Sequence, residues 1–146
     1  MIQDFLRRRR KLEKITKKIY RNGIGKEYDF NGKIMFEGEY LHGERSGIGI
    51  EYDHNGELEF DGEYLNGKRN GYGKEYYEKD KLKFKGGYLN GKRHGKGKEY
   101  YYNGKLKFEG EYLHGKKNGK VKEYNADGEL EFEGEYRKGK RILNNN

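Results

Sequence analysis

The stretch FDGEYLNGKRNGYG, residues 60 to 73, decides the fold of this chain because close copies of it return every 24 residues. The pair Glu-Tyr recurs with the same step at 27/28, 51/52, 75/76, 99/100 and 123/124, without insertion or deletion. A fixed period of this length is typical of stacked structural units that each contact their neighbours. The chain is therefore predicted to be a repeat protein of about five units.

Each unit is predicted to be a β-hairpin. Two runs of strand-forming residues, 47 to 54 and 57 to 64, flank Asn55-Gly56, and this dipeptide suits a type I′ turn, which needs positive φ at both central residues. The turn recurs at Asn31-Gly32, Asn103-Gly104 and Asp127-Gly128. Lys79-Asp80 takes its place in the middle unit, and because these residues tolerate positive φ less well, that hairpin is expected to be the weakest. Five such turns predict ten strands, and residues 67 to 71 are predicted to form a polar loop between hairpins.

Alternation along the strands predicts an aromatic ladder on one face of the sheet. Tyr52, Phe60 and Tyr64 are expected to share that face, with Gly62 leaving room for a neighbouring ring, whereas Glu51 is expected on the wet face. The ladder is a candidate partner-binding groove. Its predicted members are Tyr28, Phe36, Tyr40, Tyr52, Phe60, Tyr64, Tyr76, Phe84, Tyr88, Tyr100, Phe108, Tyr112, Tyr124, Phe132 and Tyr136.

The composition excludes several classes of protein. The 146 residues include no Cys, so disulfide scaffolds and cysteine zinc sites are excluded. No apolar run is long enough for a membrane span, which predicts a soluble, cytoplasmic protein. Abundant Lys, Asn and Tyr beside scarce Ala are typical of an AT-rich genome, as in a protist or a large virus, and a virion is the alternative location.

The charge is unevenly distributed. Residues 1 to 26 hold ten Lys or Arg against two acidic residues, while residues 27 to 146 balance to zero, so a nucleic-acid-binding role is not expected of the repeats. Residues 27 to 67 carry 2 basic and 11 acidic side chains, and residues 74 to 107 carry 11 basic and 4 acidic. Two copies in antiparallel alignment would place opposite charges together, which favours a homodimer in that register; the alternative is that both segments are solvated faces with no role in association.

The first 21 residues form a separate basic arm. Apolar residues at Phe5, Leu12, Ile15 and Ile19 follow a helical spacing, so a basic amphipathic helix is predicted. One interpretation is a cap over the first edge strand; another is a helix on an anionic membrane surface; a third is nuclear localisation or nucleic-acid binding. The possible lipid-binding residues are Arg7, Arg8, Arg9, Arg10, Lys11, Lys14, Lys17 and Lys18.

Signals for catalysis or for a cofactor are weak. Residues 86 to 92 match the start of a phosphate-binding loop, but Arg93 stands where Ser or Thr would hold magnesium, and the match is a product of the repeat. The four His are dispersed, which predicts no metal site. The glutamates at 27, 51, 75, 99 and 123 are expected to form salt bridges with Lys or Arg. We expect no enzyme activity, no cofactor and no metal.

The unit FEGEYLHGERSGIG at residues 36 to 49, with its copies, resembles the MORN (membrane occupation and recognition nexus) repeat. The resemblance covers residues 22 to 141, leaving 142 to 146 as a polar tail, and Val121 departs from the pattern where a Gly is usual. It implies a rod-like, all-β, single-layer antiparallel sheet that serves as a scaffold for protein partners. The leading expectation is a non-catalytic scaffold that binds an unidentified protein through the aromatic groove or a sheet end. The alternative is a peripheral membrane module that uses the basic helix.

Overall fold

The computed structural model describes Arg7 and residues 22 to 143. Its eleven strands form one open antiparallel sheet in sequence order. They are β1 (Asn22–Tyr28), β2 (Ile34–Leu41), β3 (Glu44–Tyr52), β4 (Leu58–Leu65), β5 (Lys68–Tyr77), β6 (Lys81–Leu89), β7 (Lys92–Tyr100), β8 (Leu106–Leu113), β9 (Lys116–Tyr124), β10 (Leu130–Arg137) and β11 (Lys140–Ile142). The all-β single-layer sheet is as predicted, but ten strands was one too few. The N-terminal helix predicted for residues 1 to 21 lies outside the described residues, apart from the exposed Arg7.

The tightest turns join the predicted hairpins to one another. Between β4 and β5, Asn66 and Gly67 have φ of 50° and 81°, and Leu65 pairs with Lys68 across this two-residue turn. Positive φ at both central residues is the pattern of a type I′ turn. The same turn recurs at His42-Gly43, Asn90-Gly91, His114-Gly115 and Lys138-Gly139. The polar loop predicted for residues 67 to 71 is therefore wrong, because β5 begins directly after the turn.

The turn at Asn55-Gly56 is of another kind than predicted. Only Gly56 has positive φ, at 84°, and its N–H donates to the Asp53 carbonyl at 2.9 Å. The Asp53 carboxylate accepts from the N–H groups of Asn55 and Glu57 at 2.8 and 2.9 Å, so one side chain organises a three-residue loop. In the middle unit, both Lys79 and Asp80 are left-handed, with φ of 59° and 55°.

A register shift in each unit decides which residues share a face. Glu51 lies opposite Phe60, whereas Tyr52 lies opposite Leu58, so one residue is added on β4. Without this bulge, Ile50 would lie opposite Phe60. Directly paired residues point to the same side of a sheet, so Glu51 joins the Phe60 face and Tyr52 goes to the other. The face assignment predicted for these two residues is therefore wrong, and the shift recurs in the other units.

The core is a line of rings rather than a layer between two sheets. Phe36, Phe60, Phe84 and Phe108 have no exposed surface, and the adjoining tyrosines are almost as buried. The Phe60 ring meets the rings of Tyr64 and Tyr88 edge to face, with centroids 5.8 and 5.2 Å apart. A Cβ placed on Gly73 would lie 2.4 Å from the Phe60 ring, and Gly62 lies directly opposite Gly73. Glycine therefore makes room for the ladder, as the sequence predicted.

Candidate protein-binding surface

The face that carries the buried rings, here called the ladder face, is covered by its own polar side chains. Tyr64 donates its hydroxyl to the Glu51 carboxylate, and Arg69 donates to the same carboxylate through Nε and Nη2, at 3.0 Å each. The Arg69 guanidinium also lies 4.0 Å from the centre of the Phe60 ring, within range of a cation–π interaction. The triad recurs as Glu27–Tyr40–Arg45, Glu75–Tyr88–Arg93 and Glu123–Tyr136–Arg141. The predicted salt bridges of the glutamate series are confirmed.

The triads hold their carboxylates in the charged form. Burial alone raises the pKa of the Glu51 carboxyl, but the hydrogen bonds from Arg69 and Tyr64 outweigh it and bring the pKa below its ordinary value. The pKa of Glu75 is lowered in the same way by Arg93 and Tyr88. These groups are therefore ionised at neutral pH and act as structural acceptors above the rings.

The fifteen aromatic residues predicted as one groove are divided between the faces. The Phe series and the series beginning at Tyr40 form the ladder, whose last members, Phe132 and Tyr136, are only partly buried. The series Tyr28, Tyr52, Tyr76, Tyr100 and Tyr124 belongs to the opposite face, where the Tyr124 hydroxyl donates to Glu109 at 3.0 Å and Lys85 lies 5.8 Å from the Tyr100 ring. The Phe rings of the ladder are covered by other side chains. Partner binding through the ladder stays a prediction.

The opposite face, here called the open face, carries an unbroken row of paired residues. In strand order, the row reads Lys26, Glu37, Ile50, Asp61, Lys74, Lys85, Lys98, Glu109, Lys122 and Glu133. Salt bridges join three neighbouring pairs within it: Lys26–Glu37 at 3.2 Å, Lys98–Glu109 at 3.5 Å and Lys122–Glu133 at 3.7 Å. The row is therefore mostly a chain of alternating charges.

A second row and a groove lie beside the first. Ile48 and Tyr72 belong to this row and are 53% and 48% exposed. The groove has a volume of about 770 Å³, and its lining includes Tyr72, Lys85, Lys98 and Glu109, together with glycines such as Gly97. Simple alternation along the strands does not predict this surface, because the bulge places Ile48 and Tyr72 on the face opposite the Phe rings. The surface can be found in the sequence by comparing residues 24 positions apart, separately for the odd-numbered and the even-numbered strands.

An open sheet of stacked hairpins in sequence order, with one face sealed by a repeated Glu–Tyr–Arg network, defines the class: a single-layer β repeat protein. The chain belongs to the MORN repeat family. The MORN repeat matches residues 36–57 and 60–80, and the MORN repeat variant matches residues 21–42, 93–114 and 117–138. No curated protein matches the chain significantly.

Two other kinds of site are not found among the described residues. No helix among them is long and apolar enough to cross a membrane. No group of three or more His, Cys, Asp or Glu in the same part of the chain is placed to hold a metal ion. The basic residues Arg8 to Lys18, proposed for lipid binding, lie outside the described residues.

Proposed function

We propose that this chain is a non-catalytic scaffold that binds a protein partner across its open face. The observation that carries the proposal is that the chain's own polar side chains cover the ladder face but leave the open face exposed. Arg, Glu and Tyr side chains seal the ladder face, while the open face presents Ile48 and Tyr72 about half exposed, and Tyr72 lines a groove of about 770 Å³. Grooves that mix exposed apolar groups with a few directed polar groups are typical of binding surfaces.

The charge pattern favours a protein over a uniform polyanion. Glu37, Asp61, Glu109 and Glu133 recur along the first row of the open face, between lysines. A phosphate backbone or an anionic bilayer laid along this row would meet a carboxylate every few strands, and each such meeting is repulsive. A polypeptide can match alternating charges with its own side chains, so the row suits a protein partner.

The proposal is tested with a photo-crosslinking amino acid at Ile48 or Tyr72, and with Phe30 as the control site. Phe30 is 84% exposed and lies in the β1–β2 connection, away from the open-face rows. We expect crosslinks to a discrete protein from Ile48 and Tyr72 in source cells and none from Phe30. Equal crosslinking from all three sites would contradict the proposal. Binding to anionic liposomes without any protein crosslink would also contradict it. If that binding were lost when Gln replaces Arg7 to Arg10, the membrane alternative would be favoured.

A further inference from the structure

The middle of the open face breaks the alternation of charge. Lys85 lies directly opposite Lys74 on one side and Lys98 on the other. Like charges in directly opposed positions of antiparallel strands destabilise the sheet. In the other units, the position of Lys85 holds an acidic residue, namely Glu37, Asp61, Glu109 and Glu133. Lys85 is thus a departure from the repeat that the fold does not require, whereas Lys74 and Lys98 follow it, since Lys26 and Lys122 occupy the same position in other units.

A second departure lies beside the first. Gly87 stands where the other units have Glu39, Glu63, Glu111 and Glu135, so this unit lacks both carboxylates of its even strand. Among the described residues, Lys98 has a salt bridge to Glu109 at 3.5 Å, whereas neither Lys74 nor Lys85 has a carboxylate oxygen within 4.0 Å. Lys74 and Lys85 therefore present positive charge on the open face without a salt bridge to a described residue.

An exposed ring borders this charge. Tyr72 lies directly opposite Gly87, is 48% exposed and lines the same groove as Lys85, Lys96 and Lys98. The missing side chain at Gly87 leaves the Tyr72 ring without a cross-strand partner on that side. Positive charge next to an exposed aromatic ring offers two kinds of contact, one for carboxylates and one for an apolar side chain.

We propose that this lysine cluster, formed by Lys74, Lys85, Lys96 and Lys98 with Tyr72, binds a short acidic segment of the protein partner. The inference rests on the proposed function and names the chemistry of the partner. The three opposed lysines span two strand spacings, about 10 Å, which an extended peptide of about four residues covers. The segment carries carboxylates for the lysines and an apolar residue for the Tyr72 ring.

The surroundings of the cluster limit the ligand to a short segment. Asp61 and Glu63 lie on the N-terminal side and Glu109 and Glu111 on the C-terminal side, within the same two rows. A long polyanion or a membrane surface would extend onto these carboxylates. The positive region is only a few strands wide, so a local group of acidic side chains fits it better.

The substitution Lys85→Glu separates binding from folding. It gives the middle unit the residue that three other units have at this position, and it replaces two repulsive cross-strand pairs by attractive ones. We expect Lys85→Glu to raise the melting temperature and to weaken binding of the acidic segment. A residue with only a structural role would not show these opposite effects.

The test uses the full chain and a fluorescein-labelled peptide with glutamates on both sides of one leucine. Fluorescence anisotropy is compared with a peptide of the same length in which Gln replaces every Glu. The control variant is Lys92→Glu, which makes the same charge change at an exposed position where the first unit already has Glu44. We expect the acidic peptide to bind the native chain, to lose affinity by about tenfold or more with Lys85→Glu, and to be nearly unaffected by Lys92→Glu.

Four results would overturn the inference. The first is equal binding of the Glu and Gln peptides, and the second is an equal loss of peptide affinity in the two variants. The third is binding of anionic vesicles, in place of the peptide, with the same dependence on Lys85. The fourth is a homodimer, seen in light scattering, that Lys85→Glu dissociates. If the peptide fails while Ile48 and Tyr72 still crosslink to a protein in the Lys85→Glu variant, the acidic segment is wrong and the scaffold function stands. If the crosslinks also fail, both proposals are wrong.

Discussion

The two faces of the sheet differ in how strictly the units repeat. On the ladder face, Phe occupies its position in all five units and Tyr does the same four residues later. On the open face, the position that begins at Ile24 reads Ile, Ile, Tyr, Lys and Lys along the chain. The difference shows that the ladder makes each hairpin compatible with its neighbours, whereas the open face is free to vary from unit to unit.

This freedom is what allows a repeat protein to recognise a particular partner. Any unit can stack on any other as long as the ring, the carboxylate and the cation of the ladder face are present. Side chains of the open face add little to this stacking, so their charges can differ between units without loss of the fold. Lys85, at the centre of the lysine cluster, is such a difference, since its four counterparts are acidic.

The largest difference in stability between the two faces is expected when aromatic residues are replaced by Ala. Phe84→Ala removes a ring with no exposed surface from contact with Tyr88 and Tyr112, and we expect it to lower the free energy of unfolding by about 3 to 5 kcal/mol. Tyr100→Ala removes a half-buried ring from the open face and should cost about 1 kcal/mol. Denaturant unfolding of both variants measures the two losses. Equal losses would show that the open face is as much a core as the ladder.

The second contrast concerns the carboxylates of the ladder face. Glu75→Gln weakens the charged hydrogen bonds from Arg93 and Tyr88, and we expect a loss of about 1 to 3 kcal/mol at neutral pH. Glu59→Gln, at an exposed position, is the control and should change stability little.

The pH dependence of unfolding follows from the same carboxylates. The pKa values of Glu27, Glu51, Glu75 and Glu123 are lowered in the folded chain, so the unfolded chain binds more protons as the pH falls. Their stabilisation is complete above the ordinary carboxyl pKa of about 4.5 and is lost as the pH falls through the lowered values. Thermal melts between neutral and acidic pH should show a smaller decline for Glu75→Gln than for the native chain. An identical decline would contradict the role of this carboxylate.

The repeat, the strand order and the salt bridges could be predicted from the sequence because each depends on residue type and a fixed spacing. The faces could not, because a single added residue on β4 reverses the alternation between Glu51 and Tyr52. The turn types could not be predicted from the dipeptides alone, because a neighbouring side chain also decides the turn. Asn55-Gly56 has the dipeptide of a type I′ turn, but the Asp53 side chain stabilises a longer loop, while His42-Gly43 makes the two-residue turn.

The turn of the middle unit is expected to be strained, and replacing its residues should change the free energy of unfolding by less than Phe84→Ala does. Lys79 and Asp80 both adopt positive φ, which costs a lysine about 1 kcal/mol and an aspartate less. Lys79→Asn combined with Asp80→Gly should therefore raise the free energy of unfolding by about 1 kcal/mol, measured in thermal melts. The reciprocal change Gly104→Asp, at φ 86°, should lower stability in the next unit. A loss in the first variant would mean that the Lys79 or Asp80 side chain stabilises the turn.

The smallest effect is expected within the ladder face, where one unit has Lys117 in place of arginine. Lys117 Nζ lies 3.2 Å from Glu123 and 3.9 Å from Glu99, whereas Arg93 donates twice to Glu75 at 2.9 and 3.0 Å. Both cations lie over a ring, with Lys117 Nζ 4.1 Å from the Phe108 centroid. Lys117→Arg keeps this contact and adds the planar, two-point hydrogen bonding that an ammonium lacks, so we expect a gain of about 0.5 kcal/mol. Lys116→Arg, at the exposed neighbouring position, is the control for the change of residue type. Equal shifts of the melting temperature in the two variants would show that the ring contact, rather than the paired hydrogen bonds, is what the ladder requires of its cation.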